Sequence, residues 1–82
     1  MNIERAILVA LDRMAGPSGH YSEPELSLLA DVCAILNEPV TLTPLRRACA
    51  SLETKRQVVS VPSEDKGTMW KITADGRARL AE

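Results

Sequence analysis

The sequence predicts a small α+β domain, in which three helices form the core and are followed by a β-hairpin and a short final helix. Three observations predict it. Apolar residues recur at helical spacing over three successive stretches, two β-prone runs flank a polar loop that ends in Gly67, and a polar closing stretch ends at Leu80. The chain has 82 residues, which suffices for one small core. We therefore expect residues 1–82 to form a single domain.

The first helix is predicted from Ile3 to about Ala15, with Asn2 as its N-cap and Gly16-Pro17 as its stop. One face of this helix is apolar and is expected to be buried. We expect residues 19–21 to form a very short strand that pairs with the later hairpin. The apolar face consists of Ile3, Ile7, Ala10, Leu11 and Met14.

The second helix is predicted to start with a capping box at residues 22–25, in which Ser22 caps the helix and Glu25 reaches back. It runs to about Leu36 and is apolar on two sides. One side carries Leu26, Ala30 and Cys33, and the nearly opposite side carries Leu28, Val32 and Ile35. An 82-residue domain can hardly cover both sides. The second set therefore packs against the first helix or forms a surface for a second copy or another protein.

The third helix is predicted over residues 44–56, with Thr43 as the cap and Pro44 in the favoured first position. Leu45, Cys49 and Leu52 form its buried stripe. The opposite face is small, hydroxylated or basic, so it can approach a DNA major groove closely, although a solvated face would look the same. That face presents Thr43, Arg47, Ala50, Ser51 and Thr54, with Arg46, Lys55 and Arg56 toward its edges.

The hairpin is predicted over residues 58–72, with Val59 and Val61 on the same face as Trp70 and Ile72. Thr73 is expected to cap the short last helix, and Leu80 to return to the core. Basic residues outnumber acidic ones in residues 41–82, whereas acidic residues predominate in residues 1–40. The net charge of −1 by itself argues against strong nonspecific binding to nucleic acid, but the basic half coincides with the third helix and the hairpin.

The sequence predicts neither catalysis nor a cofactor. His20 is the only histidine, and no Ser–His–Asp or Cys–His arrangement follows from the spacing. Cys33 and Cys49 lack the close pairing of a zinc site. They are expected to be small buried hydrophobes, because a reducing compartment disfavours a disulfide between them. No apolar run approaches the length of a membrane span, so we expect a cytoplasmic protein.

Nearly the whole chain resembles the winged helix-turn-helix domains of compact bacterial and phage regulators of the MarR, PadR and ArsR kind. The resemblance is carried by Thr43-Pro44-Leu45-Arg46-Arg47 through Leu52, by Val58–Val61, and by Trp70-Lys71-Ile72-Thr73-Ala74-Asp75-Gly76 with Leu80. It implies that the helix at 44–56 enters the major groove and that the hairpin, or wing, touches the flanking backbone.

Two hypotheses about function follow. The first is a transcriptional regulator that binds duplex DNA, expected to be a homodimer. The second is a non-enzymatic adaptor or phage accessory protein that docks on another protein through Leu28, Val32 and Ile35, and the acidic wing tip at Glu64 and Asp65 favours it. Under the regulator hypothesis, the residues that would face base edges or nearby phosphates are Thr43, Arg47, Ser51 and Thr54. The residues that would hold phosphates are Arg46, Lys55 and Arg56 and, in the wing, Lys66 and Lys71.

Overall fold

The computed structural model describes residues 1–19, 21–65 and 67–82, which form an α+β fold of four helices and a three-stranded antiparallel sheet. This confirms the α+β class that the sequence predicts. The elements in chain order are α1 (Ile3–Ala15), β1 (Glu23–Pro24), α2 (Glu25–Leu36), α3 (Leu42–Thr54), β2 (Val58–Ser63), β3 (Gly67–Ile72) and α4 (Ala74–Ala81).

Helix α1 has the predicted bounds and the predicted cap. The Asn2 side chain accepts a hydrogen bond from the Arg5 amide at 2.8 Å. The expectation that Met14 is buried is wrong, since 44% of it is exposed. It lines an open cavity between α1 and α2, where the small side chains of Ala10 and Ala34 leave space.

The capping box predicted at residues 22–25 is wrong. Glu23 and Pro24 form strand β1 and pair with Trp70 and Met69 of β3, so the chain stays extended until α2 begins at Glu25. Strand pairing with a distant segment thus displaces a local helix signal. The short strand expected at residues 19–21 instead lies at β1, and His20 falls outside the described residues.

The sheet order is β1-β3-β2, which places β2 at an edge where Pro62 is tolerated. Val58 pairs with Ile72, and Ser60 pairs with Trp70. Because side chains alternate along a strand, Val58 joins Ile72 and Trp70 in the core. The predicted orientation of Val59 and Val61 is therefore wrong: both lie on the opposite face, opposite Lys71 and Met69.

The core is aliphatic, with Trp70 packed into it. Leu28 and Val32 of α2 are fully buried against this core, whereas Leu26 on another side of the helix is 69% exposed. The packing of α1 against α2 therefore decides which apolar side of α2 is inside. The largest side chains buried completely include Ile7, Leu11, Leu28, Leu45, Leu52, Val32 and Val58.

Helix α3 begins at Leu42, two residues before the predicted start, and ends at Thr54. Thr41 is the N-cap and makes no side-chain capping bond, so the prediction that Thr43 caps the helix is wrong. Leu42 packs against the core, which favours including it in the helix. Pro44 still lies in the first turn, where helical amides lack an intrahelical acceptor.

Helix α4 closes the fold as expected. The Thr73 hydroxyl accepts from the Gly76 amide at 3.1 Å and donates to the Arg56 carbonyl at 2.6 Å. Gly76 packs so closely that a methyl group there would collide with the carbonyl oxygen of Gln57. Leu80 is half-buried against the core, as predicted. No helix in the described part of the chain is long and apolar enough to cross a bilayer.

Candidate nucleic-acid interface

The outward face of α3 is the surface for which the sequence predicts DNA contacts. Thr43, Arg47 and Thr54 are exposed there, and Ser51 is half-buried. The Thr54 hydroxyl donates to the Ala50 carbonyl at 3.0 Å. None of these residues is acidic, so an anion can approach this face. The opposite side is buried as predicted and consists of Leu45, Ala48, Cys49 and Leu52.

Two predicted phosphate ligands are engaged in ion pairs. The Arg46 guanidinium donates from Nε and Nη2 to Oε1 of Glu25, at 3.1 and 2.8 Å, and Glu25 raises the pKa of Arg46 above its ordinary value. Lys55 Nζ lies 2.8 Å from Oε1 of Glu4. Arg46 thus ties α3 to α2, and Lys55 ties the end of α3 to α1.

Three other predicted ligands make no ion pair or side-chain hydrogen bond within the described part of the chain: Arg47, Arg56 and Lys71. Arg47 lies on the outward face of α3. Arg56 follows that helix, and Lys71 lies in β3 on the sheet face opposite the core. Lys66 falls outside the described residues. The structure therefore leaves three positive charges available at or near α3 and the hairpin.

The backbone holds Arg56 in the left-handed region, with φ of 62°. The Arg56 amide donates to the Glu53 carbonyl, and the Gln57 amide donates to the Leu52 carbonyl, both at 2.9 Å. These two bonds form a Schellman motif, whose left-handed position glycine usually occupies. Arginine at this position costs backbone energy that glycine would avoid.

Acidic side chains also lie near this surface. Glu53 accepts from the Ser60 amide at 3.2 Å and from the Ser60 hydroxyl at 2.8 Å, which joins α3 to β2. Glu64 and Asp65 are exposed at the hairpin tip, where they repel phosphate. The hairpin tip is therefore a poorer anion-binding surface than α3.

The predicted docking residues of α2 are mostly unavailable to a partner. Leu28 and Val32 are fully buried and Ile35 is half-buried, which corrects the proposed surface. The exposed large apolar residue of α2 is instead Leu26. It borders an open groove of about 810 Å³ whose lining also includes Leu42 and Trp70.

The cysteines are free thiols, as expected from the sequence. Burial raises the pKa of Cys49 to about 12, so this thiol stays protonated and unreactive at neutral pH. The Cys33 sulfur accepts from the Val40 amide at 3.3 Å. Among the described residues, no group of three or more His, Cys, Asp or Glu side chains is arranged to hold a metal ion.

Sequence reasoning missed one unusual residue, Glu23, which is only 1% exposed. The capping-box pattern concealed it, because that pattern placed Glu23 in the first turn of the second helix, where an acidic side chain is expected at the surface. In comparisons with known proteins, no family model, no curated protein and no solved structure matches this chain. Its function must therefore be inferred from the surface of α3, the hairpin and the residues that join them.

Proposed function

We propose that the chain is a winged helix-turn-helix protein that binds duplex DNA, with α3 in the major groove and the β2–β3 hairpin against the flanking backbone. The observation that carries the proposal is the outward face of α3, which presents unpaired Arg47 among small and hydroxylated side chains. The element order supports it, because α1, β1, α2, α3 and an antiparallel hairpin follow one another as in the domains that the sequence resembles.

The proposed DNA contacts can be ranked by whether each basic side chain already forms an ion pair within the protein. Arg47 projects from the middle of α3 and is assigned to a base edge or a nearby phosphate, since a guanidinium pairs bidentately with either group. Arg56 and Lys71 are assigned to phosphates. Arg46 and Lys55 would first have to leave Glu25 and Glu4, so they contribute less to binding.

A protein with few phosphate contacts has a shallow salt dependence. Each neutralised phosphate contributes about −0.9 to the slope of log K against log salt. Arg56 and Lys71 predict a slope of about −1.8 for one copy of the chain, and about −2.7 if Arg47 also contacts a phosphate. A dimer on two half-sites would double it, so the slope and the mass of the complex together report the number of bound copies.

The decisive experiment is a salt-series titration against mixed-sequence duplex DNA, with Arg47→Ala and Arg46→Ala compared. If Arg47 contacts a base, its removal should cost about 1–3 kcal/mol of binding free energy. Arg46→Ala should weaken binding less, because Arg46 already pairs with Glu25. Absence of binding by the unaltered protein at low salt would overturn the proposal.

A second candidate function is docking to a second copy of the chain through α2. The favouring observation is Leu26, which is 69% exposed at the edge of the groove beside Leu42 and Trp70. Leu26→Glu should then lower the mass measured by sedimentation, whereas Arg47→Ala should leave that mass unchanged. An unchanged mass for Leu26→Glu would exclude Leu26 from a dimer contact.

A further inference from the structure

Glu23 is a buried acid to which no described residue donates a hydrogen bond. It is 1% exposed, and neither of its carboxylate oxygens accepts a hydrogen bond from a donor group in the described part of the chain. A buried carboxylate without donors is very unfavourable, so such a group is expected to take up a proton instead. The environment of Glu23 shows where that proton would be held.

Strand β1 packs against β3 and α2. In β3, Glu23 lies opposite Trp70, so the two side chains share one face of the sheet. Trp70 is 7% exposed and its Nε1 also has no acceptor among the described residues. Lys71, the neighbouring charge in β3, projects to the opposite sheet face. Strand β3 therefore offers Glu23 no compensating positive charge.

From α2, the carboxyl group of Asp31 lies within hydrogen-bonding reach of Glu23 and its negative charge acts on Glu23. The other acid near the start of this helix, Glu25, is committed to Arg46. On the α1 side, Arg13 lines the open cavity that Asp31 also lines. Glu23 thus meets a second acid rather than a base.

Two carboxyl groups form a hydrogen bond only when one of them carries a proton, because two carboxylates are both acceptors. The burial of Glu23 assigns that proton to it. Burial raises the pKa of Glu23 from 4.5 to about 8, and the hydrogen bond and negative charge of Asp31 raise it in the same direction.

We propose that Glu23 and Asp31 share one proton in the folded chain, and that this proton fastens β1 to α2 and β3, so that its loss at alkaline pH releases β1. The device is a pH-sensitive latch at the start of α2, independent of any DNA binding. The half-exposed Asp31 gives the buried pair access to solvent.

The sign of the pH effect follows from the raised pKa. Below 4.5, the unfolded value, Glu23 is protonated in both states and the stabilisation from the latch is fully present. Above that value the unfolded chain releases the proton while the folded chain keeps it, so stability falls with rising pH. The stabilisation that the protonated Glu23 contributes is completely lost once the pH passes about 8.

The direct test is an NMR titration of the side-chain carboxyl carbon of Glu23 in the folded protein. We expect a midpoint near 8, and a midpoint near 4.5 would overturn the proposal. In Asp31→Asn, one cause of the raised pKa is removed, so the Glu23 midpoint should move to lower pH. An unmoved midpoint would show that the two acids do not share a proton.

The release of β1 has its own readout, because Trp70 is the only tryptophan and lies opposite Glu23. Its fluorescence should shift to longer wavelength between neutral pH and about pH 9. Glu23→Gln, which cannot ionise, should abolish the shift. Glu38→Gln is the matched control at an exposed acid and should keep it. A fluorescence shift that persists in Glu23→Gln would overturn the latch. If Glu23→Gln does not fold, Asp31→Asn provides the test, because its fluorescence shift should occur at lower pH than that of the unaltered protein.

Discussion

Helices α2 and α3 end in the same backbone motif but with different residues at its critical position. In α2 the Glu38 amide donates to the Cys33 carbonyl at 3.3 Å, as the Gln57 amide does to Leu52 at the end of α3. The left-handed residue is Asn37 in α2, with φ of 54°, and Arg56 in α3, with φ of 62°. Asparagine tolerates this region, whereas arginine is disfavoured there.

The backbone motif alone therefore does not explain Arg56. At α2, the side chain suits the backbone, and the helix end needs no other explanation. At α3, an exposed cation occupies a position where glycine would be more stable, beside the outward face that carries Arg47. Residues in strained backbone regions often serve a function, which supports the assignment of Arg56 to a phosphate.

The two helices also differ in how their buried sides were determined. The apolar residues of α3 form a single stripe, and that stripe is buried. Those of α2 lie on two sides, and contact with α1 and the rest of the core buries Leu28 and Val32 while leaving Leu26 exposed. A one-sided pattern predicts orientation, whereas a two-sided pattern requires knowledge of the partner element.

The largest effect is expected from Leu28→Ala compared with Leu26→Ala, both in α2. Leu28 is fully buried, so its truncation should lower the free energy of unfolding by about 2–5 kcal/mol. Leu26 is largely exposed, and its truncation should change that free energy by about 0.5 kcal/mol or less. Urea unfolding measures both, and equal losses would contradict the orientation of α2.

A smaller effect of opposite sign is expected from Arg56→Gly. Relief of the left-handed conformation should raise the free energy of unfolding by up to about 1 kcal/mol. In the salt-series titration, the slope should become shallower by about 0.9, the contribution of one phosphate contact.

Asn37→Gly is the matched control for Arg56→Gly, because Asn37 occupies the same position at the end of α2. It should change stability less, since asparagine already tolerates a positive φ, and it should leave the salt slope unaltered. Equal slopes for Arg56→Gly and the unaltered protein would remove Arg56 from the DNA contacts while leaving Arg47 untouched.

The smallest effect is expected from Arg46→Ala, which removes the ion pair between α3 and α2. Arg46 is largely exposed, and surface ion pairs contribute little because water and salt screen them. We expect a slight decrease in the urea midpoint that diminishes further at high salt. A large decrease that is insensitive to salt would mean that the contact between α2 and α3 depends on this pair.

The sequence by itself determined the features that depend on neighbouring residues. The Asn2 cap and the bounds of α1, the Thr73 cap of α4 and the buried stripe of α3 follow from hydrogen bonds and spacing within a few residues. The proposed DNA-binding face is also a sequence inference, and the structure added which of its cations are already paired. Local interactions are the same wherever the segment lies, so such features can be predicted from the chain alone.

Only the tertiary structure decided the features that depend on distant segments. Glu23 and Pro24 pair with β3 and so form a strand instead of the expected capping box. Pairing with the same strand places Val58, rather than Val59, on the core side of the sheet. Packing against α1 decided which side of α2 is buried, and the fold brought Glu23 within hydrogen-bonding reach of Asp31. For β1 and β2 the local pattern predicted a different arrangement, and for α2 it left two arrangements open. In each of these cases, contact with a distant element decided the outcome.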